Sequence, residues 1–190
     1  MVTSKSMQEK YRRRHRTKVD EVGRGHIIKN FFSEDILEIF REYTHMNSIK
    51  DNPYNEFSRA WITKFEKNVG HLIDVRAKDM LAESLLLFAR KKISNFINKD
   101  IVPVASFYRI YGPDCKLDWH IDLTEYEWSA TINMGYDAPD CWPIYLEKKP
   151  IYLEAGDALI YEGSKYEHGR FPFKGSWQIQ LFLHYKEVIK

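Results

Sequence analysis

Lys116-Leu117-Asp118-Trp119-His120-Ile121-Asp122 carries an imidazole and a carboxylate two positions apart. On an extended strand, side chains at i and i+2 share a face, so His120 and Asp122 are expected to reach a common point. His168 stands 48 residues beyond His120. If the chain folds back there, two imidazoles and a carboxylate flank one side of a metal ion and leave its other side open to reacting ligands. The H-x-D pattern is weak by itself, because seven His and 27 acidic residues can produce it by chance. Its weight comes from what surrounds it.

On both sides of this stretch the apolar period is close to two. Residues 101–111 (I-V-P-V-A-S-F-Y-R-I-Y) are β-branched and aromatic and stop at the turn signal Gly112-Pro113-Asp114. Further extended pieces follow at 128–136, 142–146, 150–154, 158–162 and 177–185. Short strands at close spacing, with no helix between them, predict an antiparallel sandwich or barrel, most simply a double-stranded jelly roll. Glu154-Ala155-Gly156-Asp157-Ala158 reads as a turn between two of them.

The N-terminal half reads differently. Ser33 is a helix N-cap, followed by acidic residues and by apolar positions at Ile36, Leu37, Ile39, Phe40 and Tyr43. Residues 48–60 are polar, contain Asn-Pro and predict a loop, a candidate lid. A longer helix is expected over 77–98, with Met80, Leu81, Leu85, Phe88, Ile93, Phe96 and Ile97 along its apolar stripe.

The length of 190 residues and a 44% hydrophobic content suit one globular domain. Residues 1–30 hold nine Lys/Arg against three Asp/Glu, leaving 20 against 24 in the remainder, so the net charge of +2 conceals a basic terminus. The run Gln8–Lys18 would suit nucleic acid or another polyanion, but no nucleic-acid module follows it and a solvated tail is the preferred reading. The absence of a long apolar run or a signal-peptide core argues against membrane insertion and secretion. Cys115 and Cys141 lack metal-binding spacing, and a reducing, cytoplasmic setting is expected.

The order Y-G-(x7)-H-x-D, then S-A-T-I-N-M-G, then L-E-A-G-D-A-L-I-Y-x-G-(x4)-H-G-R resembles the 2-oxoglutarate/Fe(II)-dependent oxygenase superfamily, on its prolyl-4-hydroxylase-like side. The resemblance spans roughly residues 100–185. The charge run marks a basic arm over 1–24, and the resemblance implies a mainly β, α+β fold in one domain over 25–190, with a helical buttress at 25–100 and a jelly-roll core at 101–190. The resemblance also implies His120, Asp122 and His168 as Fe(II) ligands and Tyr111 as a hydrogen-bond partner of 2-oxoglutarate. O₂ would be the oxidant and an amino acid, peptidyl or other small molecule the substrate. Halogenation is disfavoured, since that chemistry needs a small residue where Asp122 stands.

One departure matters. Members of that superfamily usually anchor the far carboxylate of 2-oxoglutarate with Arg or Lys on the final core strand, where this chain reads Trp177-Gln178-Ile179-Gln180. Arg170 is the expected substitute, because a guanidinium pairs a carboxylate bidentately. Lys174, His184 and Arg109 are the other candidates, and Gln178 and Gln180 could add neutral hydrogen bonds. The missing base also leaves open a metal-binding jelly roll without turnover, acting as a binding or regulatory module. Asp118, Trp119, Glu125, Tyr126, Glu127 and Trp128 bracket the motif and would suit an amine-bearing substrate. The sequence does not set the oligomeric state.

Overall fold

The computed structural model describes residues 19–22, 24–48, 61–62 and 65–188. The basic run and nearly all of the proposed lid loop lie outside the described residues. Two helices, α1 (Glu34–Ser48) and α2 (Met80–Ile97), precede the core strands. Before and between them run β1 (Val19–Val22), β2 (Gly25–Ile28), β3 (Trp61–Ile62), β4 (Phe65–Glu66), β5 (Gly70–His71) and β6 (Asp74–Ala77). The core continues with β7 (Ile101–Tyr111), β8 (Leu117–His120), β9 (Trp128–Asp137), β10 (Ile144–Leu146) and β11 (Lys149–Ile151). It closes with β12 (Ala158–Tyr161), β13 (His168–Arg170) and β14 (Trp177–Glu187).

An eight-stranded sheet in the order β1-β2-β12-β9-β14-β7-β6-β3 faces a four-stranded sheet in the order β11-β10-β13-β8. Their pairings are antiparallel. This is the mainly β jelly roll expected from the spacing. The larger sheet is buried on both faces, and strand alternation sorts its residues between two interiors. Tyr108, Ile110, Ala130, Ile132, Leu181 and Leu183 pack with the helices. The alternate positions, Tyr111 and Phe182 among them, meet Leu117, Trp142 and Phe173 between the sheets.

Asp79 caps α2, its carboxylate accepting from the amides of Leu81 and Ala82 at 3.0 and 3.2 Å. Asn98 ends the helix in the left-handed region, φ 53°. The buried stripe is Ala82, Leu85, Leu86, Ala89 and Ile93, a three-and-four spacing. Met80 and Phe88, expected on that stripe, are exposed (76% and 67%), as is Ile39 on α1. The small Ala82 and Ala89 let the helix approach the sheet, which rotates the bulkier residues outward.

Strands within the expected helical buttress are a further correction. β6 carries a charged pair into the interior: Arg76 Nε lies 3.0 Å from Asp74 Oδ2, with both side chains almost fully buried. A strand with charges at buried positions has no apolar alternation to reveal it. Residues 19–22, which the composition places in the basic arm, form the strand at the sheet edge. Among the described residues no helix is long and apolar enough to cross a membrane.

Candidate metal centre

His120 ends β8 and His168 begins β13, and the two are directly paired across the smaller sheet. Their rings lie 4.3 Å apart between centroids. Gly169 permits this approach, since a Cβ there would stand 2.9 Å from the Leu117 carbonyl and 3.1 Å from the Trp119 ring. Asp122 lies past the end of β8. The expectation that His120 and Asp122 share a strand face is therefore corrected: Asp122 is brought in by its amide donating to the Gly163 carbonyl at 2.9 Å.

The three side chains converge. Asp122 Oδ1 stands 3.7 Å from His120 Nε2 and 3.5 Å from His168 Nε2, and one ligand atom from each residue falls within 4.8 Å of the others. His120 Nδ1 donates to the Asp118 carbonyl at 2.8 Å and His168 Nδ1 to the Tyr166 carbonyl at 3.0 Å. A carbonyl can only accept, so these bonds place each ring proton on Nδ1 and leave Nε2 as a lone pair. Two imidazole lone pairs and a carboxylate oxygen thus face one point, which a divalent cation would satisfy. Metal-binding histidines are oriented in this way by partners on their second nitrogen.

The electrostatics agree. Burial and the neighbouring His168 lower the His120 pKa, favouring the neutral ligand form. Burial would raise the Asp122 carboxyl, but the neighbouring imidazoles of His168 and His184 and the Ser129 hydroxyl outweigh burial and hold it at about 2, the ionised form that a metal ligand requires.

Deeper in the barrel, Arg170 follows His168 by two positions and points to the same interior. It is 3% exposed. Its Nη1 donates to the Trp142 carbonyl at 2.7 Å, its Nη2 to Gln180 Oε1 at 3.2 Å, and the guanidinium lies over the Trp142 ring at 4.5 Å. Among the described residues no carboxylate pairs with it, and its Nε is buried without a partner. Burial lowers its pKa to about 10, opposed by Tyr111, Cys141 and Tyr161, so it stays charged at neutral pH.

Gln178 and Gln180 face the same interior. Gln178 Nε2 donates to Gln180 Oε1 at 2.8 Å, and Gln180 Nε2 donates to Thr131 Oγ1 at 2.7 Å. Tyr111 is fully buried, edge-to-face with Trp142 at 5.0 Å.

Two other candidate anchors are already paired with carboxylates. Lys174 is a surface side chain paired with Asp114 at 3.0 Å. Arg109 is committed to Glu66, with Nη2 to Oε2 at 2.5 Å and Nε to Oε1 at 3.2 Å, and it approaches Tyr111 Oη at 3.5 Å.

The bracket of aromatics and carboxylates does not form one surface. Trp119 lies edge-to-face with Tyr145 and Phe171, 5.8 and 5.9 Å away. Trp128 packs toward the helices, Glu127 accepts the Glu187 amide at 2.8 Å, and Asp118 pairs with Lys116. Tyr126 alone of the aromatics stacks beside the centre, on His184 at 4.2 Å. Thr131, Trp142 and Tyr161, which pattern reading did not single out, line the interior; Tyr161 meets His168 edge-to-face at 5.0 Å. Inward hydroxyls at alternate positions of Ser129-Ala130-Thr131 were the available signal.

No protein-family model matches the chain, and no curated protein sequence does. Solved structures match its fold. A Pseudomonas putida prolyl-4-hydroxylase superposes with a TM-score of 0.59 at 11% identity, over 87% of this chain and 94% of that one. A viral collagen prolyl hydroxylase from Paramecium bursaria Chlorella virus-1, in complex with 2-oxoglutarate, gives 0.59 at 11% identity over 88% and 97%. HygX from Streptomyces hygroscopicus, with nickel and 2-oxoglutarate bound, gives 0.61 at 11% identity over 98% and 87%. The fold is thus that of the 2-oxoglutarate/Fe(II) oxygenases, and a His-Asp-His triad is present in it.

Proposed function

We propose that this protein is an Fe(II)- and 2-oxoglutarate-dependent dioxygenase that hydroxylates a C–H bond of an amino acid, peptidyl or other small substrate. The observation that supports the reading is that three side chains able to ligate a metal converge in the same barrel as a buried guanidinium that has no carboxylate partner among the described residues. His120 Nε2, Asp122 Oδ1 and His168 Nε2 would hold the metal, and Arg170 would receive the far carboxylate of the cosubstrate. Bound iron with 2-oxoglutarate and O₂ supplies oxidative decarboxylation to succinate and CO₂ coupled to substrate oxidation.

The chain's own residues do the rest. A guanidinium has five N–H donors, and the bonds to Trp142 and Gln180 use two. The Trp142 ring and the Gln178–Gln180–Thr131 amide chain hold it in place, so a bidentate carboxylate would meet a pre-oriented partner. An incoming dianion would also neutralise a buried charge that has no counter-ion among the described residues. Tyr111 and Tyr161 are buried in the same interior, Tyr161 against His168 and Tyr111 against Trp142, and would help keep water from a bound cosubstrate.

The test is anaerobic addition of Fe(II) and 2-oxoglutarate, read by the metal-to-ligand charge-transfer band, then oxygen exposure and a succinate assay, with His120→Ala as control. A band lost in the variant, with slow succinate release, supports the reading. Iron binding without 2-oxoglutarate would favour a binding module instead, and no iron binding would dismiss the triad.

A further inference from the structure

Asp122 has two carboxylate oxygens, and one of them is already engaged. The Ser129 hydroxyl lies 2.6 Å from Oδ2, and Ser129 Oγ lies 3.0 Å from His184 Nδ1. A serine has one O–H and an ionised carboxylate can only accept, so the Ser129 proton goes to Asp122. Ser129 Oγ is then the acceptor for His184 Nδ1–H. The direction of both bonds follows from Asp122.

His184 is held flat, stacked on Tyr126 at 4.2 Å and on Phe107 at 5.4 Å between centroids. Its Nε2 is buried and has no hydrogen-bond partner among the described residues. Such an orphan nitrogen is unfavourable, and phenylalanine would fill a slot between two aromatic rings without it. What histidine adds there is the donor to Ser129. From the other side, a Cβ on Gly163 would collide with Asp122 Oδ2 and Ser129 Oγ, so a glycine is required where the chain passes the carboxylate.

We propose that Ser129 and His184 are positioning residues that, with Gly163, immobilise Asp122 Oδ2 so that the carboxylate ligates the metal through Oδ1 alone. This rests on the metal-centre reading given above. A carboxylate held to one oxygen takes one coordination position; a freely rotating one can take two and obstruct a position needed by the cosubstrate. Ser129 and His184 would act through Asp122, to which their hydrogen bonds lead.

The test uses the full chain and Mn(II) alone, titrated by the electron paramagnetic resonance signal of the free ion, with the metal-free thermal midpoint recorded for each variant. Ser129→Ala is expected to weaken Mn(II) binding by about ten- to a hundredfold, the usual effect of losing an outer partner of a ligand, and Ser129→Thr to restore it. His184→Phe keeps the stack and removes the donor, and is expected to weaken binding in the native background but to add nothing in the Ser129→Ala background. Native affinity in a folded Ser129→Ala or His184→Phe variant would overturn the relay and leave the triad standing. If the native protein bound Mn(II) no better than His120→Ala does, the metal-centre reading would fail and the relay with it.

Discussion

Arg170 and Gln180 join the two sheets of the barrel, Arg170 Nη2 donating to Gln180 Oε1 at 3.2 Å. Gln180 on β14 thus orients the guanidinium of Arg170 on β13. Replacing Arg170 with Gln is expected to weaken 2-oxoglutarate binding by about ten- to a hundredfold, the worth of one or two charged hydrogen bonds, with Fe(II) affinity retained. Lys174→Ala is expected to change neither, because Lys174 is bound to Asp114 at the surface. Titration of the charge-transfer band checks both, and a loss of affinity in Lys174→Ala with none in Arg170→Gln would reverse the assignment.

The metal-free protein should lose stability in mild acid through His184. Burial lowers this imidazole from 6.5 to about 4, against the charge of Asp122, while His168 and Arg109 also disfavour its cation. Tyr126 and Phe107 cover its ring faces. In the unfolded chain the ring binds a proton below pH 6.5 but in the fold only below about 4, so the unfolded state holds more protons between them and stability falls as pH drops through that window. The full effect is on the order of 3 kcal/mol. Urea midpoints from pH 7 to 4 should show it, and His184→Phe should flatten that part of the profile.

The Asp74–Arg76 pair on β6 should be costly to break from one side. Arg76 Nη2 also donates to the Asn47 carbonyl at 2.6 Å, tying the strand to the end of α1. Asp74→Asn would leave a buried guanidinium facing a neutral amide, with an expected loss of about 3–5 kcal/mol. Chemical denaturation at neutral pH measures it.

Asp79 serves two elements at once. Besides capping α2 it accepts the Tyr43 hydroxyl at 2.6 Å, and burial, then that bond, push the Tyr43 phenol up to about 12. Asp79→Ala should lower stability by about 1–2 kcal/mol from the cap alone. Loss of the Tyr43 bond should add to this, and should return the Tyr43 absorbance titration toward that of ordinary tyrosine.

Much of the fold was legible because it is written at short range. The period-two runs at 101–111, 128–136 and 177–185 fall on β7, β9 and β14, since alternation follows from strand geometry and needs no distant contact. The acidic start of α1 and the turn at Glu154–Asp157 were legible for the same reason. The candidate ligands His120, Asp122 and His168 could be proposed because the H-x-D pattern, weak by itself, stands among short strands that fold the chain back on itself and in a residue order that resembles a known family. β3 to β6 were not legible: they are two to four residues long, and β6 sets charges at buried positions.

The sequence by itself determined the two described helices, the long core strands and the identity of the three convergent side chains. The tertiary structure alone decided which of two buried faces of the larger sheet is polar, and so that Arg170, Gln180, Ser129 and His184 share one interior. It also decided that Asp122 reaches the centre through the Gly163 carbonyl and not by strand parity. The physical reason is range: alternation and capping depend on neighbours a few residues away. The Ser129–His184 contact joins residues 55 apart and the Gln180–Thr131 contact residues 49 apart. Such contacts exist only once strand order and register have been chosen by the packing of the whole barrel.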